Sequence, residues 1–208
     1  MKVATIILVW LIPVAGWGEL SEPIQVIEDD VPHAAPIIRD VDGDGVRDLI
    51  VGLYRDDPYT GARVQLFRNV GTNASPKYEQ PVWLQAGGRD ASVDEFCYTG
   101  FGPQFVDFNG DGLVDLVSGS RDGRLHVFAR RDDGAFRAAA NVVYASGDAG
   151  RKFQYNSRVF LHDWDQDGDR DLLATRRKAI WLVPNEGTAN NAKFGTPKEL
   201  LTLEPGQE

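Results

Sequence analysis

Cysteine is almost missing from this sequence: Cys97 is the only one in 208 residues, so no disulfide can form within the chain. Stability must come from packing and bound groups, and a lone cysteine reads as a small buried apolar residue. Histidine is scarce, with His33, His126 and His162 scattered outside any recurring Ser or Cys motif. Packing or metal-supporting roles suit them better than catalysis. Basic residues number 22 against 31 acidic ones, a formal net charge of −9. A phosphate backbone needs a basic surface, so nucleic acid is excluded as a partner. Long apolar runs are missing too, apart from Ala4 to Ala15, which follows Lys2 and precedes Gly16, Trp17 and Gly18. That run is shorter than the roughly 20 apolar residues a membrane span requires. Its three-part pattern predicts a secretory signal peptide over residues 1–18, hence a secreted, extracellular or periplasmic chain with no span once the signal is removed.

What remains is rich in glycine, with 22 residues, and 42% hydrophobic, which suits a globular fold with many tight turns. Three decapeptides align: Asp40 to Leu49, Asp107 to Leu116 and Asp163 to Leu172. Their flanks repeat as well. Each is preceded by an apolar stretch (Ala35 to Ile38, Gln104 to Val106, Arg158 to Leu161) and followed at once by another (Leu49 to Tyr54, Leu116 to Ser120, Leu172 to Thr175). A third stretch follows a turn (Val64 to Arg68, Leu125 to Arg130, Ile180 to Pro184), and a fourth follows a Gly-containing turn (Tyr78 to Leu84, Phe136 to Tyr144, Phe194 to Leu203). Short runs rich in Val, Ile, Phe and Tyr, bounded by Gly, Asp, Asn and Pro, are strands rather than helices. The fold class expected is therefore all-β: three four-stranded antiparallel units, at residues 33–99, 100–155 and 156–208. Such a unit cannot bury both faces alone, so neighbours must stack on it. Residues 19–32 hold one further strand, Glu22 to Ile27, expected to complete a neighbouring unit.

The decapeptides carry twelve Asp residues. Calcium takes six to eight oxygens, and a tight loop supplies them from alternating positions. Positions 1, 3, 5 and 9 are Asp40, Asp42, Asp44 and Asp48; then Asp107, Asn109, Asp111 and Asp115; then Asp163, Asp165, Asp167 and Asp171. Position 7 (Val46, Leu113, Asp169) would offer its backbone carbonyl, which explains why its side chain varies. Position 6 is Gly in all three loops, where the chain must turn sharply. A metal-free turn accounts for the glycine but not for so many carboxylates: like charges about 4 Å apart cost roughly 4 kcal/mol at an effective dielectric of 20. Zinc would want His or Cys, and magnesium a tighter octahedron, so three Ca²⁺ sites are expected. An EF-hand would need Glu at position 12, where Val51, Ser118 and Ala174 stand.

The three Asp loops, their Leu at position 10, the Asn-x-Gly-Thr turns at Asn69 and Asn185, and Phe101-Gly102-Pro103 resemble FG-GAP/VCBS repeats, the blades of integrin α-like propellers. The resemblance implies blades of β-propeller type, forming a partial propeller or part of a larger one, and calcium in the Asp loops. It leaves the biological role open, because the scaffold serves adhesins, lectins and lyases. The expected function is a secreted calcium-binding module for carbohydrate or extracellular protein binding and adhesion. The alternative is the N-terminal part of a larger calcium-dependent enzyme such as a polysaccharide lyase; no residue is assigned a catalytic role. Three loops mix charged and aromatic residues as ligand-binding loops do: Tyr54 to Thr60, Ala86 to Gly100 and Ser146 to Ser157. Three blades are fewer than the four of the smallest usual propeller, so self-assembly to close the ring is a further expectation.

Overall fold

A computed structural model describes residues 4–8, 24–29, 34–53, 61–93, 100–120, 124–142, 158–176 and 178–202. The described residues contain strands and turns and no helix. β1 (Ala4–Leu8) and β2 (Ile24–Asp29) form an antiparallel pair. β2 overlaps the strand expected at Glu22 to Ile27, but among the described residues it pairs with the apolar N-terminal run and not with any blade.

Blade 1 is built from β3 (Ala35–Arg39), β4 (Asp48–Gly52), β5 (Ala62–Phe67) and β6 (Val82–Trp83) in that spatial order. The chain then forms a small hairpin, β7 (Gln85–Ala86) and β8 (Arg89–Asp90), closed by Gly87 and Gly88, before β9 (Ser92–Val93) returns to pair with β5. Blade 2 is β10 (Gln104–Val106), β11 (Asp115–Gly119), β12 (Leu125–Phe128) and β13 (Ala140–Val142). Blade 3 is β14 (Arg158–His162), β15 (Asp171–Arg176), β16 (Ala179–Val183) and β17 (Lys198–Thr202). All neighbours within a blade run antiparallel. The expectation of three four-stranded antiparallel blades holds.

The fourth strands begin later than the hydrophobic pattern suggests. In each blade the chain first crosses back through one isolated bridge: Asn69 to Tyr78, Arg130 to Phe136, Asn185 to Phe194. The intervening residues close a turn instead of extending the ladder. In blades 1 and 3 that turn is held by an asparagine. Asn69 Oδ1 accepts from the amides of Gly71 and Lys77, and Asn185 Oδ1 from those of Gly187 and Lys193. A short amide side chain that mimics a backbone turn is what Asn supplies best.

Alternation along the central strands sends side chains to two faces. Leu at position 10 of the loop points to what we term the front face; the next residue points to the back. Ile50, Val64 and Leu66 on the back of blade 1 share one core with Leu116, Phe128 and Phe101 on the front of blade 2. Val117, Leu125 and Val127 on the back of blade 2 share a second core with Leu161, Leu172, Ala174 and Val183 on the front of blade 3. The front of blade 1 (Leu49, Val51, Phe67) forms a third. Each fully buried Val, Leu or Phe contributes on the order of 1.5–3 kcal/mol, so the stacked faces are the main source of stability. Polar pins fix the register between blades. Gln104 lends its carbonyl to the amide of Leu161 at 3.0 Å and donates to the carbonyl of Val159. Arg130 donates to the carbonyl of Val41, and the amide of Gly87 donates to the carbonyl of Phe136 at 2.8 Å.

Candidate metal centres

Each Asp loop joins the first and second strands of its blade, so all three decapeptides occupy the same place in the repeat. Their local geometry is shared. The position 1 carboxylate folds the loop around itself. Asp40 accepts from the amides of Gly43 (2.7 Å) and Gly45 (2.9 Å), and Asp107 from those of Gly110 (2.8 Å) and Gly112 (3.0 Å). Asp163 accepts from the amide of Gly168 at 3.1 Å. Position 5 accepts from the amide of position 7: Val46, Leu113 and Asp169 donate to Asp44, Asp111 and Asp167. The glycine at position 6 has positive φ in every loop, at 85°, 84° and 96° for Gly45, Gly112 and Gly168. Position 4 is left-handed too, a feature the sequence pattern did not announce because its residue is Gly43, Gly110 and then Gln166. Gln166 is the single non-glycine residue with positive φ among the described residues, at 65°.

Position 9 does more than offer a ligand. Asp48, Asp115 and Asp171 are all buried, and each spends both oxygens on backbone amides. One oxygen accepts from position 2 (Val41, Phe108, Trp164), and the other from the end of the third strand (Asn69, Arg130, Asn185). This carboxylate staples its loop to the sheet. Burial is the largest influence on Asp48 and Asp115 and pushes both carboxyls upward; the two backbone amides on each partly oppose it.

The loops differ in how far their carboxylates converge. Asp40, Asp42 and Asp48 can bring one oxygen each within 4.8 Å of one another, and so can Asp163, Asp165 and Asp171. Asp44 and Asp167, at position 5, stand outside these triads. In the second loop the structure gathers no such triad: Asn109 replaces a carboxylate, and its side-chain amide donates to Asp111 at 2.9 Å. Asp42 also forms an ion pair with Arg68 at 2.8 Å, a contact that sequence reasoning missed because Arg68 lies just past the end of β5. The third loop is the most acidic. Asp169 at position 7 is buried side chain and all, not merely a backbone carbonyl with a free side chain. Burial first, then the charges of Asp167 and Asp171, push its carboxyl up to about 6. Oδ1 of Asp163 and Oδ1 of Asp169 are both buried without a hydrogen-bond partner. Buried carboxylate oxygens without a donor are costly unless a cation takes the donor's place. An all-oxygen donor set with such orphaned atoms fits a hard divalent cation.

Of the aromatic and charged loops, residues 54–60 lie outside the described residues, as do Asp94, Glu95, Phe96 and Tyr98 of the second and all of the third. The described start of the second loop forms the β7–β8 hairpin. There Arg63 lies 3.8 Å from the ring centre of Trp83 and pairs with Asp90 at 2.8 Å. A hydrogen bond from Gln85, and then Arg63, hold the Asp90 carboxyl below its usual range. Phe101 and Gly102 are located where the blades meet: Phe101 is buried and stacks on Phe128 with ring centres 5.8 Å apart, and the amide of Gly102 donates to Ser118.

Comparison with known proteins agrees with this architecture. The FG-GAP-like repeat family matches residues 107–159, from the first Asp of the second loop to the first strand of blade 3. Among solved structures, the chain is similar to an Agrocybe aegerita lectin studied for its specific recognition of non-reducing terminal N-acetylglucosamine. The TM-score is 0.54 at 16% identity, over 88% of this chain and 44% of the lectin chain. At that identity the likeness concerns the fold, and this chain spans less than half the length of the lectin. The chain is a repeat protein built from blades of propeller type, and it carries an FG-GAP-like repeat.

Proposed function

We propose that this chain is a calcium-stabilised extracellular binding module, with a carbohydrate as its ligand. The observation that carries the metal half is the third loop, where two buried carboxylate oxygens face no donor beside three converging aspartates. Asp163, Asp165, Asp167 and Asp171 with the carbonyl of Asp169 would hold one ion, and Asp40, Asp42, Asp44 and Asp48 with the carbonyl of Val46 a second. Asp107, Asn109, Asp111, Asp115 and the carbonyl of Leu113 would hold a third and weaker one, because Asn109 brings no charge. Calcium supplies positive charge at fixed points; the chain's residues do the rest. Position 1 wraps the loop, position 9 ties it to the sheet, and the ion relieves repulsion between carboxylates that the fold has already drawn together.

The carbohydrate half is supported by the fold's likeness to a lectin and by the mixed aromatic and charged character of the loops Tyr54 to Thr60, Ala86 to Gly100 and Ser146 to Ser157. The signal-peptide pattern in residues 1–18 supports an extracellular or periplasmic location, where calcium is plentiful. A glycan array probed with the purified chain, in calcium and in chelator, tests both halves together. Binding of a defined glycan set in calcium is expected. No glycan bound in either condition would remove the carbohydrate half, and identical binding in chelator would separate the ligand from the metal.

A further inference from the structure

We infer that Asn73, which stands outside every Asp loop, is the positioning residue of the first one: it sets the direction of the Val46 carbonyl that the ion takes up. The inference rests on calcium occupying that loop. Position 7 offers only a backbone carbonyl, whose direction is that of its peptide plane. The carbonyl of Val46 and the amide of Arg47 belong to one trans peptide unit, so they point in opposite directions. Whatever holds the Arg47 amide therefore aims the Val46 carbonyl. The Arg47 amide donates to Oδ1 of Asn73 at 2.8 Å, a residue 26 positions further along the chain. Nε of Arg47 donates to the same oxygen at 3.3 Å. The other half of the Asn73 side chain holds the preceding peptide plane: its Nδ2 donates to the carbonyl of Gly45 at 3.1 Å. The amide of Val46, on that same plane, donates to Asp44 at 2.7 Å. Two consecutive peptide planes are thus tied down on either side of Val46, both of them by one side chain.

Asn73 is itself held in place. It lies in the turn built on Asn69, where the amide of Thr72 donates to the carbonyl of Ser75 at 3.1 Å and the amide of Ser75 to Oγ1 of Thr72 at 3.0 Å. Nδ2 of the buried Asn69 donates to the carbonyl of Arg47 at 3.1 Å, so both backbone groups of Arg47 are bonded to this turn. A partner that fixes the orientation of a metal ligand sharpens the site without touching the ion. The clamp belongs to the first loop by sequence. The turn of blade 3 repeats Asn185, Gly187 and Thr188 but has Ala189 where Asn73 stands. The turn of blade 2 is shorter, from Arg131 to Ala135, and contains no asparagine. Asn73 is exposed, so its side chain contributes to the loop and not to a core.

A calcium titration of the isotope-labelled full chain, followed by NMR, tests this loop by loop. The amides of Gly45, Gly112 and Gly168 each donate to the position 1 carboxylate of their own loop, so each reports its own site. In Asn73→Ala the Gly45 midpoint should move to roughly tenfold higher calcium, the lower end of what losing the hydrogen-bond partner of a metal ligand costs. The Gly112 and Gly168 midpoints and the melting temperature of the metal-free chain should not change. Asn73→Asp keeps the acceptor for the Arg47 amide and should keep the Gly45 midpoint near that of the wild type. Asn73→Ala combined with Ala74→Asp supplies the same charge without the acceptor and should not restore it. An unchanged Gly45 midpoint in Asn73→Ala overturns the inference. So does a common shift of all three midpoints, a loss in Asn73→Asp equal to that in Asn73→Ala, or recovery through the charge at position 74. A wild-type chain whose three glycines ignore calcium overturns the metal assignment itself, whereas a calcium response that Asn73→Ala leaves untouched overturns the role of Asn73 alone.

Discussion

At the scale of single residues, Asp169 shows how one side chain changes a repeated motif. Val46 and Leu113 hold the same position in the other loops as apolar residues, whereas Asp169 buries a carboxyl among Asp165, Asp167 and Asp171. Its carboxyl is raised to about 6 from an ordinary value of 3.8. Between those values the folded chain holds a proton that the unfolded chain has released. This contribution to stability is complete below about pH 4 and is lost as pH rises through about 6. Freed of metal, the chain should be more stable at pH 5 than at pH 7, with Asp169 contributing on the order of 1 kcal/mol to the difference. Urea denaturation of metal-free protein at the two pH values measures it, and Asp169→Asn should remove that part of the change. Calcium at pH 7 should act in the opposite direction, since the ion needs the deprotonated form. Gln166 is the second residue of note in this loop. It occupies a left-handed conformation where the other loops have glycine, at a cost of about 1 kcal/mol.

At the scale of elements, the junction between blades 1 and 2 depends on a close approach of backbones at the end of β4. A methyl group placed on Gly52 would lie 1.9 Å from the carbonyl oxygen of Phe101 and 2.5 Å from the ring of Pro103. Neither neighbour is the end of a flexible side chain, so the strand or the Phe101–Pro103 segment would have to move. Phe101 is buried against Phe128, and displacing it would open the core shared by the two blades. Gly52→Ala should therefore lower stability by roughly 2–4 kcal/mol, in the range of other core disruptions. Thermal or urea unfolding of the variant reads this directly, and a loss below about 0.5 kcal/mol would mean that the contact is far softer than its geometry. Gly119, the equivalent residue of blade 2, ends β11 in the same way.

At the scale of the whole molecule, the blades form a stack in which each inner core belongs to two neighbours, so the metal loops and sheets should respond as one unit. Calcium is expected to raise the melting temperature and chelation to lower it, with affinity of about 10⁻⁴ to 10⁻³ M, as in other extracellular modules. Calorimetric titration should resolve the loops by their chemistry: Asp167→Ala should remove the tightest site, Asp44→Ala the next, and Asp111→Ala the weakest. Equal melting curves in excess calcium and in chelator would overturn the metal assignment. In the first loop, the Arg68–Asp42 pair competes with an ion. It is exposed, and such pairs contribute no more than about 1 kcal/mol, so it lowers affinity only slightly.

Much of this was legible in the sequence because its physical basis is local. Strand period, turn glycines and the spacing of carboxylates are set by near neighbours in the chain, so the blades, their order and the three loops could be read directly. Left-handed φ at position 6 follows from the glycine itself. Other features were decided by the fold, since they depend on residues far apart in the chain. Asp48, Asp115 and Asp171 serve as staples only because the end of the third strand, 14 to 21 residues further on, returns to meet them. The fourth strands start late because the bridge residues Tyr78, Phe136 and Phe194 close a turn first. The same local pattern gives Val64, Leu125 and Ile180, and nothing near them in sequence says which two will be covered. That depends on what stacks against each sheet: Val64 and Leu125 lie in the cores between blades, whereas Ile180 is 36% exposed.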